Sequence, residues 1–128
     1  MGAIALFVVG HRQQAERELA KTRIKSDEVE LVDLALRSGY AGSYTLVGRV
    51  RNRSDRYTLD EVGLKFTMSD CSDTSVCEVV GETERLIHVN VPPRQARDLN
   101  DFVHFTGLGA PRGKHQWDYK VVEIVGRR

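Results

Sequence analysis

From Glu28 onward, apolar and polar residues alternate with a period of two, and no segment between the alternating runs is long enough to form a helix. In "EVGLKFTMSD" the apolar parity is Val62, Leu64, Phe66 and Met68, against Glu61, Lys65, Thr67 and Ser69 on the other side. "SYTLVGRVRN" sets Tyr44, Leu46 and Val50 against Thr45, Arg49 and Arg51, with Gly48 on the apolar side. "HQWDYKVVEIV" sets Trp117, Tyr119 and Val121 against Gln116, Asp118 and Lys120. Three further runs fit strands less regularly. In "EVELVDLAL" the parity switches at Leu31 and Val32, which predicts a bulge or a strand covered on both faces. "CEVVGETERLIHVNV" is long and holds Gly81, where it can bend or split. "ARDLNDFVHF" puts Leu99, Val103 and Phe105 on one parity and Phe102 on the other.

Clusters of Gly, Pro, Asn, Asp and Ser separate these runs: "RSGYAGS", "NRSDR", "CSDTSVC", "VPPRQ" and "TGLGAPRGK". Parallel neighbours need long crossovers, and these links are short. The pattern therefore predicts an all-β chain, an antiparallel immunoglobulin-like β-sandwich of six or seven strands, with a six-stranded barrel as the alternative.

The 128 residues suffice for one core. We divide them into an apolar segment (1–10), a polar, helical stalk (11–26), a sandwich domain (27–126) and a two-residue tail (127–128). "MGAIALFVVG" is apolar throughout but stops at His11 and Arg12, where a spanning helix needs about 20 residues. It lacks the leading basic residues and cleavage site of a signal peptide, so we read it as the trailing half of a membrane anchor. The stalk is rich in helix formers, with Ala15, Leu19 and Ala20 its main apolar residues. With 19 basic and 18 acidic residues, the formal charge of +1 gives no general attraction to nucleic acid.

"FTMSD", Phe66 to Asp70, resembles the signature of the FxLYD domain family: Phe66 and Asp70 match, Met68 replaces Leu and Ser69 replaces Tyr. "GRVRNRS" resembles that family's Gly-x-Val-x-Asn-x-Ser strand and turn, "LDEVGLKF" its next strand, and "VPPRQARDL" its Pro turn, with Arg94 where Gly is usual. The resemblance spans Glu28 to Val125. It implies an extracytoplasmic bacterial module of immunoglobulin-like type without catalysis. The residues also have structural roles of their own: Phe66 and Met68 point inward, while Asp70, Asn52 and Ser54 can bond backbone amides at turns.

Cys71 and Cys77 are the only cysteines. Five residues separate them, too many for a C-x-x-C redox pair, and no second ligand pair completes a zinc site. A disulfide across the loop ranks above two free thiols, and both rank above a metal or redox role. A disulfide favours an oxidising compartment. The stalk's five basic against two acidic residues between Arg12 and Lys25 argue the other way, for retention. We give the cysteines more weight and expect the bacterial periplasm, with anchoring to the inner membrane through the N-terminal segment.

His88, His104 and His115 lie in three different predicted strands, so a metal could gather them only if those strands met with matching faces; surface positions are the expectation. Arg49, Arg51 and Arg53 share a face, followed by Arg56, and form the best patch for an anionic partner, although a solvated strand face is the simpler reading. "NRS" fits a glycosylation acceptor, and "TGLGAPRGK" is a glycine-rich loop without the phosphate-loop pattern. No nucleophile elbow or other catalytic constellation is present in the sequence. The expectation is a non-enzymatic module without cofactor that contacts a protein partner in the cell envelope through a sheet edge or a loop cluster. The alternative is a small-ligand or metal-ion carrier using His88 and His104. The sequence does not specify an oligomeric state.

Overall fold

A computed structural model describes residues 14–40 and 42–128. The expected apolar segment and the first residues of the stalk lie outside the described residues. Six strands follow a short helix over residues 14–20 and a 3-10 turn at Ser26–Glu28: β1 (Val29–Ser38), β2 (Ser43–Asn52), β3 (Thr58–Cys71), β4 (Cys77–Val91), β5 (Ala96–His104) and β6 (Lys114–Arg127). They form two three-stranded sheets, β1-β2-β5 and β4-β3-β6, in which every pairing is antiparallel. Hairpins join β1 to β2 and β3 to β4, and the other three links carry the chain from one sheet to the other.

The alternation read from the sequence decides which face turns inward. Val62, Leu64, Phe66 and Met68 of β3 are all buried, and they meet Leu46 and Val50 of β2 and Leu99 and Val103 of β5 in one core. Each such side chain contributes about 1.5–3 kcal/mol by leaving water. Phe102, on the opposite parity of β5, is 72% exposed.

The parity switch in β1 is a bulge. The register with β2 shifts between Val32 and Ala35, Asp33 takes φ 53°, and Leu34 swings over Gly48. A Cβ at Gly48 would stand 2.7 Å from Leu34 Cδ2, so the glycine makes room for the bulged strand. β4 does not split at Gly81; it runs as one 15-residue strand and absorbs its irregularity as a register shift opposite Met68 and Ser69.

The link from β2 to β3 is built on two buried polar residues. Asn52 Nδ2 donates to the carbonyls of Tyr57 (2.8 Å) and Val91 (3.0 Å), and its Oδ1 accepts the Ser54 N–H at 2.9 Å. Ser54 Oγ accepts from the N–H groups of Arg56 and Tyr57. Asn52 is fully buried with its amide engaged, so it is no glycosylation acceptor in the folded chain. In the turn after β4, Arg94 takes φ 62°, a left-handed value that glycine adopts freely.

The segment 11–26 is not solvated throughout its described part. Helix residues 14–19 are exposed, but Ile24 is 2% exposed and belongs to the core. Arg23 Nη1 donates to the Gly126 carbonyl at 3.1 Å, and Lys21 Nζ lies 3.2 Å from Glu123 Oε1. The chain therefore joins the folded unit before Asp27, because one isoleucine in a polar sequence finds an apolar hole beside Gly126. Among the described residues, no helix is long and apolar enough to cross a membrane.

Candidate interaction surface

Each sheet has two edge strands, and the two flanks of the molecule differ. On one flank β4 and β5 approach each other: Arg85 Nη2 of β4 lies 3.1 Å from Asp101 Oδ1 of β5, an ion pair that joins the sheets. The chain after β5 then lies over β4, since a Cβ at Gly81 would meet Phe105 Cδ1 at 3.2 Å and Leu108 Cδ1 at 3.4 Å. That flank is covered at Gly81.

The other flank, between β1 and β6, is open. Leu31, Leu34 and Leu36 of β1 and Trp117, Tyr119 and Val121 of β6 line the core but are only half-buried. Residues 21–26 cover the C-terminal part of β6 through Ile24, Arg23 and Lys21. Among the described residues, no strand other than β3 pairs with β6. From Lys114 to Val121 its register with β3 is unbroken, so this stretch presents a continuous row of backbone groups.

Aromatic rings pack along that stretch. The Trp117 and Tyr119 rings stack with centroids 6.0 Å apart and planes at 28°, and Trp117 also lies 6.4 Å from Phe66. Asp118 Oδ1 accepts the Tyr119 N–H at 2.8 Å. That donor therefore points away from β3, toward the open side, and is satisfied by its neighbour's side chain.

The start of β6 is clamped. Asp70 Oδ2 accepts the Arg112 N–H at 2.7 Å, and Asp70 Oδ1 accepts the Gly113 N–H at 2.8 Å. These two bonds hold the Asp70 carboxyl below the ordinary carboxylate range, with smaller help from the charges of His115 and Arg112. Gly113 passes so close to β3 that a Cβ there would collide with the Cys71 carbonyl oxygen. Cys71 and Cys77 are register partners at the end of the β3–β4 hairpin and stand at disulfide distance, S–S 2.09 Å. One register position thus carries the cysteine pair on one side of β3 and Lys114 on the other.

The remaining candidate residues are dispersed. His88 is exposed on β4 with its Nδ1 3.3 Å from Glu61 Oε1, while His104 ends β5 in the other sheet with its Nδ1 3.0 Å from Ser43 Oγ. His115 is at the start of β6, opposite Asp70. Among the described residues, no group of three His, Cys, Asp or Glu side chains is placed to hold a metal ion. Of the arginines, Arg49 lies 3.4 Å from Asp98, Arg53 pairs with Glu30, and Arg56 lies over the Tyr57 ring at 5.7 Å. Arg51 is opposite Glu30 in the register with β1. The face is a lattice of opposite charges rather than a concentrated positive patch.

The open edge was only partly readable from the sequence. Alternation marked Trp117 and Tyr119 as inward, but which strands end up at the edges depends on pairings that lie far apart in the chain. Comparison with protein-family models, curated proteins and solved structures finds no match.

Proposed function

We propose that this chain is an extracytoplasmic, membrane-tethered module of immunoglobulin-like type that acts without catalysis, by docking a protein partner in the cell envelope on the edge of β6. The observation that carries the reading is the stretch Lys114–Val121: unbroken in its register with β3, backed by half-buried Trp117 and Tyr119, and without a second strand partner among the described residues. An added strand would gain main-chain hydrogen bonds along it and cover the aromatic rings.

Strand order supports the immunoglobulin-like part. Lettered A to F along the chain, the sheets read A-B-E and D-C-F. The constant-type immunoglobulin arrangement is A-B-E-D with C-F-G; here the fourth strand has changed sheets, and no seventh is present among the described residues. In that arrangement the seventh strand pairs with the sixth, so the position a seventh strand would take is the free edge of β6. The cysteine pair and the FxLYD-like residues support a compartment outside the cytoplasm. The apolar segment before His11 supports the tether.

Crosslinking in intact cells tests the proposal. A photoreactive residue at Gln116, exposed beside the edge, should capture a protein, and one at the far face, at Arg51, should not. Capture at neither position would end it.

A further inference from the structure

We infer that the partner on the β6 edge is a second copy of this chain, paired antiparallel about Tyr119. The inference rests on the reading of that edge as the contact surface and names its occupant.

An antiparallel pair of identical strands is related by a two-fold axis, so its register is fixed by the residue that faces itself. With Tyr119 at the axis, Asp118 of each copy is opposite Lys120 of the other, and Trp117 is opposite Val121. Opposite charges meet on the polar face, and apolar groups meet on the core side. Moving the axis to Asp118 puts two carboxylates face to face, and moving it to Lys120 does the same with two ammonium groups. A one-residue slip sets Trp117 against Lys120 and mixes the two faces. The sequence Trp117–Val121 is thus self-complementary in one nearby register only.

Two structural observations fit that register. Within the chain, Asp118 is opposite Thr67 and Lys120 is opposite Lys65, so among the described residues neither has an opposite charge across the strand. Lys65 itself turns to Glu82, 3.7 Å away. Moreover, the Tyr119 N–H points toward the open edge, as a hydrogen-bonded pair of Tyr119 residues across the axis requires. On pairing, that N–H passes from Asp118 Oδ1 to the Tyr119 carbonyl of the second copy. The carboxylate is then free to meet Lys120. The alternative role of Asp118 and Lys120 is to guard the edge against pairing, and it predicts the opposite result in solution.

The test is sedimentation of the full chain in a mild detergent over a range of concentrations, with three variants. Asp118→Lys and Lys120→Asp each place like charges opposite one another twice in the dimer, and should weaken it by about tenfold to a hundredfold. The double variant restores the complement and should dimerise like the wild type. Both positions are exposed, so the fold, followed by circular dichroism, should be unchanged in all three. A wild type that stays monomeric, or a dimer indifferent to the single reversals, overturns the inference. The Gln116 crosslinker separates this failure from failure of the parent reading. An adduct of doubled chain mass supports self-pairing. An adduct to a different protein, or to the chain's own segment before Gln14, overturns self-pairing, and only the former keeps the docking function. No adduct removes both.

Discussion

The side chain of Ile24 occupies the space that a Cβ on Gly126 would need: such an atom would stand 2.9 Å from Ile24 Cγ1 and 3.0 Å from Cδ1. A residue from the segment ahead of the sheets therefore closes the end of the core beside β6. Ile24→Ala should lower the unfolding free energy by about 2–4 kcal/mol, the usual cost of emptying a buried site. Leu19→Ala, at a helix position 48% exposed, should leave it nearly unchanged. Urea unfolding of the two variants checks the contrast; equal midpoints would return residues 21–26 to the role of a solvated stalk.

Asp70 ties the loop before β6 to β3, and its protonation state sets the strength of the tie. Its folded pKa lies below the ordinary value of 3.8, because the N–H groups of Arg112 and Gly113 favour the carboxylate. A depressed pKa means that the stabilisation is present above 3.8 and is lost as pH falls from there through the lowered value. The amide resonances of Arg112 and Gly113 should shift together with a midpoint below 3.8. Asp70→Asn, which still offers one acceptor oxygen, should abolish that titration. A midpoint at or above the ordinary value would mean that the two bonds are not made in solution.

How much of this the sequence contained depends on whether a feature is local. Parity along β3 identified its buried residues, because every second side chain must enter the core whichever strands lie beside it. The switch at Leu31–Val32 foretold the β1 bulge for the same reason. Asn52 and Ser54 read as turn-bonding residues because their partners are two to five positions away, although the second carbonyl that Asn52 reaches, at Val91, is 39 positions away. The burial of Ile24 has no signal in the sequence: one apolar residue among charges carries no periodicity, and its hole is made by Gly126 at the far end of the chain. Asp70 reads in the sequence as a residue that bonds amides at a turn, but the amides it holds come from the loop 42 and 43 positions onward. The open edge of β6 is the least local feature, since it follows from which strand lies next to β3.

Reducing the Cys71–Cys77 pair should destabilise the fold by about 2–2.5 kcal/mol, the loop-closure entropy of so short a ring. The register of β3 with β6 does not depend on it, so the reduced chain should remain folded, with faster amide exchange confined to the β3–β4 turn. Chemical denaturation with and without reductant measures the difference. The mass of the chain from its own host, alkylated without reduction, shows whether the bond is present there. Two alkylated thiols would remove the cysteines as an argument for an oxidising compartment.

Trp117 contributes to the core and to the open edge together, and the two contributions can be separated. Its ring leans on Phe66 within the sheet and on Tyr119 along the strand, so Trp117→Ala should cost about 2 kcal/mol of stability, less than for a fully buried indole because the ring is half-exposed. It should also reduce partner capture at the Gln116 crosslinker, since the apolar backing of the edge is gone. Phe102→Ala provides the contrast. That ring is 72% exposed on the outer face of β5, and its loss should change neither quantity by more than about 0.5 kcal/mol. Asp118→Lys should lower capture of a second copy without lowering stability, because among the described residues its carboxylate serves only the neighbouring N–H at the edge. If Trp117→Ala lost stability but captured as well as the wild type, the aromatic pair would belong to the core alone, and the docking surface would have to be sought on another edge.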